Sequence, residues 1–205
     1  MKRRICLFLL LALNISFVYS QNEKEAQNLI KAIANKINPQ QGVLASFTAS
    51  NMNNKGASMS GAISFKNNKY YLHTKNLQVW FDGKTQWTYN PESSEVNVSI
   101  PTQEEQQAVN PYAFLNFNPQ LYFYSIVKKT TTHTTLRMQD KGRKKTDIQV
   151  NVNNTTKLPE SISLKQGTTW VNITIKSLKN KMKWGDSYFR FDKNKYPNVE
   201  IIDLR

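Results

Sequence analysis

The chain has 205 residues, a formal net charge of +14 at pH 7 and a single cysteine, Cys6. This length fits one domain with a sizeable core, and one cysteine excludes a small scaffold held together by disulfides. The lysines are scattered, with the densest groups at 141–145 and 176–183, and no nucleic-acid-binding motif accompanies them. We therefore interpret the positive charge as a solvated surface and expect no nucleic-acid partner.

Residues 1–20 have the pattern of a signal peptide. Three basic residues at 2–4 precede an apolar run at 5–18, and residues 18–20 are small or apolar where a signal peptidase cuts. The run is shorter than the roughly 20 apolar residues of a membrane-spanning helix. We predict cleavage after this segment and a single exported domain over 21–205.

The first element of the predicted domain is an amphipathic helix over Glu23–Ile37. We predict Asn22 as its N-cap and Asn38-Pro39 as its stop. Apolar residues recur through it at helical spacing, namely Ala26, Leu29, Ile30, Ile33 and Ile37. Because only one stripe is apolar, the helix has to lie on another apolar surface.

Three extended segments follow the helix, at Val43–Ala49, Ala57–Lys66 and Tyr70–Thr74. Apolar residues alternate in them with small or polar ones, and Asn-rich turns separate them. The alternation gives each strand one apolar and one polar face, and it predicts an antiparallel meander. The apolar face would include Phe47, Met59, Ile63, Phe65 and Leu72.

A hairpin is predicted at residues 79–91. Asp82-Gly83 favours a type I′ turn, because both residues tolerate positive φ. Val79 precedes this turn, and Trp87 and Tyr89 share one face of the second strand. If the strands pair sequentially, we expect these aromatic residues to extend the apolar surface of the preceding meander.

The next segment combines a strand with short helices. The strand is predicted at Glu95–Ile100, and Thr102-x-x-Glu105 has the form of a capping box. Asn110-Pro111 can begin a second helical turn. That turn is strongly apolar, with Tyr112, Phe114, Leu115 and Phe117.

The second half of the chain returns to strands separated by charged or Gly-containing turns. They are predicted at Leu121–Lys128, Thr131–Met138, Thr146–Val152, Leu158–Leu164 and Trp170–Leu178. Alternation places one set of apolar residues on one face, namely Leu136, Met138, Ile148, Val150, Val152, Ile162, Leu164, Val171, Ile173 and Ile175.

No catalytic centre is predicted. His73 and His133 lie in strand patterns without further ligands at metal-binding spacing, and neither a Gly-x-Ser-x-Gly elbow nor a phosphate-binding loop is present. We therefore expect a non-enzymatic protein without metal or cofactor. The apolar faces leave two arrangements open: helices and aromatic residues fill the interior as a packed core, or incomplete filling leaves a cavity that holds an alkyl chain.

Two stretches carry a resemblance to a known family. One is a strand followed by Asp82-Gly83-Lys84-Thr85 and then Trp87-x-Tyr89-Asn90-Pro91; the other is Phe189-Arg190-Phe191-Asp192 followed by Val199–Arg205. Together they resemble the periplasmic outer-membrane lipoprotein carrier (LolA-like) family, including its closing Phe-x-Phe…Val-x-Val-Ile-Asp-x-Arg strand. The resemblance implies an incompletely closed, curved antiparallel β-barrel, or half-barrel, of about ten strands with a helical lid on its concave face.

The same resemblance implies a soluble periplasmic carrier, monomeric, that shields the acyl chains of lipid-modified proteins. Its donor would be an inner-membrane lipoprotein-releasing transporter and its receiver an outer-membrane acceptor. The lid would be Glu23–Ile37 with Thr102–Phe117. The acyl-chain cavity would be lined by Ile30, Ile33, Phe47, Met59, Ile63, Phe65, Leu72, Val79, Trp87, Tyr89, Phe114, Leu115, Leu136, Met138, Ile148 and Val150.

This sequence departs from the family at one turn. The family commonly has an Arg-Pro pair, with the arginine tied to lid closure, where Lys66-Asn67-Asn68-Lys69 stands here. Lysine cannot make the forked contact of arginine. The alternative to a lipoprotein carrier is an exported interaction module, or a carrier of another lipid or glycolipid, on the same fold.

Overall fold

The computed structural model describes most of the chain after the predicted signal peptide, whose residues 1–20 lie outside the described part. One long helix, α1, occupies residues 21–37, and none of the described helices is long and apolar enough to cross a membrane. The described residues are 21–51, 54–102, 105, 106, 109, 110, 112, 115, 119, 120, 122–142 and 146–205.

Twelve strands in the described part of the chain form one sheet, against about ten predicted. They are β1 Val43–Asn51, β2 Asn54–Lys66, β3 Lys69–Thr74, β4 Gln78–Phe81, β5 Gln86–Asn90, β6 Glu95–Ser99, β7 Tyr122–Lys129, β8 His133–Asp140, β9 Asp147–Asn153, β10 Pro159–Gln166, β11 Thr169–Asn180 and β12 Glu200–Asp203. The spatial order is β12-β6-β5-β4-β3-β2-β1-β11-β10-β9-β8-β7. The sheet is open and curved, and with α1 it confirms the predicted incomplete barrel.

Two meanders build this sheet. Strands β1–β6 and strands β7–β11 each pair in chain order and antiparallel, as the alternating segments predicted. The two meanders meet where β1 pairs with β11, with Val43 opposite Asn180. Among these described strands, β12 alone runs parallel to its neighbour, β6.

Helix α1 lies on one face of the sheet, called the inner face below. Ala26, Ile30, Ile33 and Ile37 are fully buried there, so the predicted apolar stripe is the packed side of the helix. The helix ends at residue 37 as predicted. Asn38 takes up left-handed backbone geometry (φ 47°), and a short 3₁₀ helix, Pro39–Gln41, leads into β1.

Asn22 is not the N-cap, because the chain is already helical at residue 21. Its side chain instead forms hydrogen bonds with β7, which is the edge strand at one end of the sheet. The Asn22 Nδ2 donates to the Ile126 carbonyl oxygen (3.1 Å), and the Ile126 amide donates to the Asn22 Oδ1 (2.7 Å). Lys129 of β7 also pairs with Glu25 of α1 at 2.5 Å. One asparagine thus satisfies both backbone groups of an edge residue, as a neighbouring strand would.

Replacing Asn22 with Ala should release this edge. We expect the free energy of unfolding to fall by about 1–3 kcal/mol, because two hydrogen bonds are lost together. Hydrogen exchange at the Ile126 amide should accelerate, and urea unfolding gives the stability. Asn28→Ala is the matched control, because Asn28 is exposed on the same helix; equal losses from both variants would refute the bridging role.

The capping box is confirmed. The Thr102 amide donates to the Glu105 carboxylate (2.6 Å), and the Glu105 amide donates to the Thr102 hydroxyl (3.3 Å). Residues 105, 106 and 109 are helical. Beyond them, the Tyr112 amide donates to the Asn110 side chain (3.0 Å), which agrees with the second predicted helical start.

The hairpin between β4 and β5 is confirmed, but its turn is not type I′. The loop has four residues, 82–85, with Phe81 opposite Gln86. Gly83 has positive φ (101°) and Asp82 does not. The Asp82 carboxylate accepts hydrogen bonds from the amides of Lys84 and Thr85 instead. These side-chain bonds satisfy the amides of a longer loop, which the dipeptide signal does not distinguish from a tight one.

The C-terminal segment crosses the other face of the sheet, called the outer face below. Phe189 is fully buried there, and the Tyr188 hydroxyl hydrogen-bonds with Ser64 (3.1 Å). The Lys66 ammonium donates to the Trp184 carbonyl oxygen (3.0 Å), and Lys69 pairs with Asp186 at 2.8 Å. The position at which the family commonly has its lid-closing arginine therefore fastens the C-terminal segment in this protein.

Candidate functional site

The candidate site is the apolar interior between the inner face of the sheet and α1. It is one continuous cluster of buried side chains, to which α1 and both meanders contribute. Twelve of the sixteen predicted wall residues belong to it: Ile30, Ile33, Phe47, Ile63, Phe65, Leu72, Val79, Leu115, Leu136, Met138, Ile148 and Val150. The period-2 alternation of the strand segments and the helical stripe thus converge on one surface.

Trp87 and Tyr89 lie on the outer face, and the prediction that they line the interior is wrong. In the register of β4 and β5, Thr88 lies opposite Val79, and Trp87 lies opposite Trp80. The Tyr89 ring packs against Tyr196 of the C-terminal segment, with ring centroids 4.9 Å apart. A loop with an even number of residues always pairs an odd position with an even one, so neither aromatic residue could share a face with Val79.

A Trp87→Phe variant should therefore bind an acyl chain with unchanged affinity, within about twofold, because Trp87 is outside the apolar interior. Binding is measured by titrating a fluorescent fatty-acid analogue. Phe47→Leu is the comparison, since Phe47 lies inside the buried cluster; its affinity should fall while that of Trp87→Phe does not. A larger loss from Trp87→Phe would place the binding surface on the outer face.

The two remaining predicted wall residues are Met59 and Phe114. Met59 lies beside Ala49, which packs against the cluster, but Met59 itself is 43% exposed. With Val171 these residues line a small cavity of about 240 Å³. Phe114 lies outside the described residues. Met59 therefore marks the rim of the interior at the strand ends that face away from the α1 C-terminus.

The interior contains several aromatic residues that the predicted wall does not include. Tyr112 stacks on Phe65, with ring centroids 4.8 Å apart, and Tyr70 packs against Phe81 at 5.1 Å. The same alternation that selected Leu72 and Val79 places Tyr70 and Phe81 on their face, so the signal was present. Tyr122 and Tyr124 also join the cluster. So do Val152, Ile162, Leu164 and Ile173, which the alternation of the second half predicted on that face.

Gly61 of β2 allows a close approach between neighbouring strands in this wall. A Cβ on Gly61 of β2 would lie 2.6 Å from the His73 carbonyl oxygen and 3.0 Å from the Phe47 ring. Real contacts of a Cβ are longer than this, so a side chain at Gly61 would displace Phe47 or the neighbouring strand. Gly61 therefore lets the Phe47 ring lie across β2.

The interior contains hydroxyl groups but no buried charge among the described residues. The Tyr70 hydroxyl donates to the Gln86 Oε1 (2.7 Å), and the Tyr112 hydroxyl has no hydrogen-bond partner in the described part of the chain. Asp147 is the one buried carboxylate there, and it is held by Arg137 on the outer face. An apolar ligand would therefore meet no ionised group in the described part of the interior.

Burial makes several tyrosines hard to ionise. Desolvation raises the pKa of the Tyr70 and Tyr112 hydroxyls well above their usual range, and it raises the pKa of Tyr71, on the outer face, to about 12. Unfolded tyrosines lose their protons near pH 10. The folded state therefore binds more protons above that pH, and stability has to fall as the pH rises.

We expect this loss to appear in urea unfolding between about pH 9 and about pH 12, while stability is not affected by these tyrosines below that range. Absorbance at 295 nm should show that ionisation accompanies unfolding. A Tyr70→Phe variant should lose stability less steeply with pH than the wild type. Identical slopes for both proteins would show that Tyr70 ionises as readily folded as unfolded.

A cleft of about 600 Å³ opens between the C-terminal end of α1 and the β2–β3 turn. Ala34 and Leu115 line it, and both also contact or belong to the buried cluster. Asn38, Pro39, Asn67 and Asn68 are among its polar surroundings. The described residues contain no group of His, Cys, Asp and Glu side chains that could hold a metal ion.

The sheet is open and curved, and a helix packs on its apolar inner face. This architecture places the protein in the class of half-barrels whose apolar interior is covered by a helix. The sequence model of the family described as outer membrane lipoprotein carrier protein LolA matches residues 16–168. The chain belongs to this family. No curated protein matches the chain.

Solved structures share the fold at low sequence identity. An uncharacterized conserved protein from Thermus thermophilus has a TM-score of 0.55 and 6% identity, over 87% of this chain and 99% of that one. An outer membrane lipoprotein-sorting protein domain from Vibrio parahaemolyticus has a TM-score of 0.50 and 10% identity, over 85% and 99%. At these identities the likeness concerns the fold alone.

Proposed function

We propose that the protein is a periplasmic carrier that holds the acyl chains of lipid-modified proteins between the curved sheet and α1, and passes them towards the outer membrane. The observation that supports this most directly is the interior itself. It is apolar, it contains no buried charge among the described residues, and a helix rather than further strands covers it. A helix can move away from a sheet without breaking the hydrogen bonds between strands.

The free energy of burying an acyl chain is similar in size to the free energy with which the apolar side chains of α1 pack on the sheet. Burial of about fifteen methylenes stabilises a bound chain by roughly 12 kcal/mol. The three fully buried isoleucines of α1 contribute about 1.5–3 kcal/mol each, so about 4.5–9 kcal/mol together. An acyl chain that enters between α1 and the sheet can therefore compensate for the contacts that it separates.

The same burial free energy implies that the acyl chain passes directly from one protein to the next and is not released into water. Release of the chain into water would lose the roughly 12 kcal/mol of burial, which makes free dissociation very slow. We therefore propose that the carrier docks on its donor and on its acceptor. An inner-membrane lipoprotein-releasing transporter and an outer-membrane acceptor, the partners implied by the family, would fill these roles.

Titration with fluorescent fatty-acid analogues of two chain lengths tests the proposal. We expect saturable binding of one chain or a few, tighter for the longer chain by up to about fourfold per added methylene. The free fluorophore without its chain is the control. Absence of binding, or binding that ignores chain length, would refute an acyl-chain cavity.

An exported interaction module is the second candidate function. It is favoured by a cleft of about 580 Å³ on the outer face. Aromatic and charged side chains line this cleft, among them Tyr71, Trp80, Tyr188, Arg190, Phe191, Asp192, Lys195 and Tyr196. If the acyl-chain titration fails while the fold is intact, this face becomes the leading candidate for the functional surface.

A further inference from the structure

Four lysines come together where α1 and β11 end. They are Lys36, Lys179, Lys181 and Lys183, called the lysine end below, and all four are exposed. The Asn180 side chain donates to the Lys36 carbonyl oxygen (2.8 Å), which ties the helix end to the strand end. The Met182 amide donates to the Gly42 carbonyl oxygen (3.1 Å), which holds the following lysines beside the start of β1.

The charge of the lysine end is not neutralised locally. Residues 170–185 include Lys176 and three lysines of this end but no acidic residue. The next residue, Asp186, pairs with Lys69. Among the described residues, every ion pair within 4 Å involves other cations. Several unpaired charges at one end of a protein produce a positive potential that reaches about 8–10 Å at physiological salt.

The lysine end borders an opening of the interior. The 600 Å³ cleft lies beside it, since Asn38 and Pro39 line the cleft directly after Lys36 and the end of α1. The Asn67 amide donates to the Pro39 carbonyl oxygen (3.1 Å), so the β2–β3 turn forms the far wall. Ala34 and Leu115 lead from the cleft to the buried cluster.

We propose that the lysine end docks on bilayers rich in anionic phospholipid, with the cleft turned towards the membrane. Lysine is depleted at protein–protein interfaces, where arginine and aromatic residues are enriched. The four charges here are all lysine, the pattern that anionic lipid surfaces attract. This inference rests on the proposed carrier function. Docking at the lysine end would bring the 600 Å³ cleft, beside the end of α1, to the membrane that holds the acyl chains.

The test is sedimentation with phosphatidylcholine vesicles that contain or lack phosphatidylglycerol. We expect the wild type to bind the anionic vesicles only, and added salt to weaken binding. Replacing all four lysines with Gln should lower partitioning by up to about 600-fold, since each lysine near an anionic surface contributes about fivefold. The double variant Lys179→Gln/Lys183→Gln should show about half of that effect on a logarithmic scale.

The control replaces four other exposed lysines with Gln: Lys75, Lys84, Lys165 and Lys193. It changes the net charge equally and should keep partitioning within about threefold, because distant charges are screened. An equal loss in the control, or no preference of the wild type for anionic vesicles, overturns the proposal; in the second case an acidic protein becomes the better partner. Acyl-chain titration of the same variants separates the two proposals, since that affinity should not change.

Discussion

A double variant, Ile30→Asp with Ile33→Asp, is expected to lose acyl-chain affinity by about 100-fold or more. Both side chains are fully buried against the sheet, and a carboxylate in contact with an alkyl chain costs well over about 1.4 kcal/mol, so each substitution lowers affinity at least about tenfold. The free energy of unfolding should also fall by several kcal/mol, because two buried apolar side chains are lost. Fluorescent fatty-acid titration measures the first effect and urea unfolding the second.

The matched control for the helix is Asn28→Asp with Asn35→Asp. Both positions are exposed on α1, and the pair adds the same two negative charges to the same element. Acyl-chain affinity and stability should stay close to those of the wild type. Similar losses from both pairs would show that charge on α1, and not its apolar stripe, controls binding, and α1 would then not be the lid.

On the sheet, Ile63→Glu is expected to abolish acyl-chain binding. Ile63 is fully buried between Ala45 of β1 and Leu72 of β3, so a carboxylate there has no solvent and no partner in register. We expect the free energy of unfolding to fall by about 4 kcal/mol or more, which can prevent folding altogether. Ile63→Thr is the milder variant; it should fold, lose about 2 kcal/mol and bind the probe about tenfold more weakly.

Ser60→Glu is the control for the sheet, because Ser60 is exposed on the outer face of the same strand. It should bind the fatty-acid analogue like the wild type. If Ile63→Thr folds and binds as tightly as Ser60→Glu, the inner face is not the binding wall. The outer-face cleft would then be the site to test.

Sequence reasoning predicted the interior well where it relied on short-range periodicity. The α1 stripe and the inner residues of strands such as β2 and β9 follow from 3.6- and 2-residue repeats, which depend only on local geometry. The capping box of Thr102 and Glu105 was predictable for the same reason. Each of these signals is contained in a few consecutive residues.

One error could have been avoided from local geometry, since an even-numbered loop already puts Trp87 and Tyr89 on the face opposite that of Val79. Other errors arose where the environment of a residue depends on distant parts of the chain. Large aromatic side chains suggested an interior position for Trp87 and Tyr89, but the C-terminal segment provides a second apolar surface on the outer face. Asparagine is a residue type that often caps helices, so Asn22 was predicted as the N-cap. Its hydrogen-bond partner is instead Ile126, which is 104 residues away in the chain. No local pattern shows that a second layer or an edge strand will be present there.

The pairing of β1 with β11 has a kinetic consequence. Each meander can form from neighbouring segments, but the central ladder joins the residues near Val43 to those near Asn180. Closing so long a loop costs entropy before any contact repays it, and such pairings make folding slow. We therefore expect two partly ordered halves to form first and the sheet to be completed only when almost the whole chain is available for folding. During that interval the apolar inner faces are open to any holding chaperone that meets the chain.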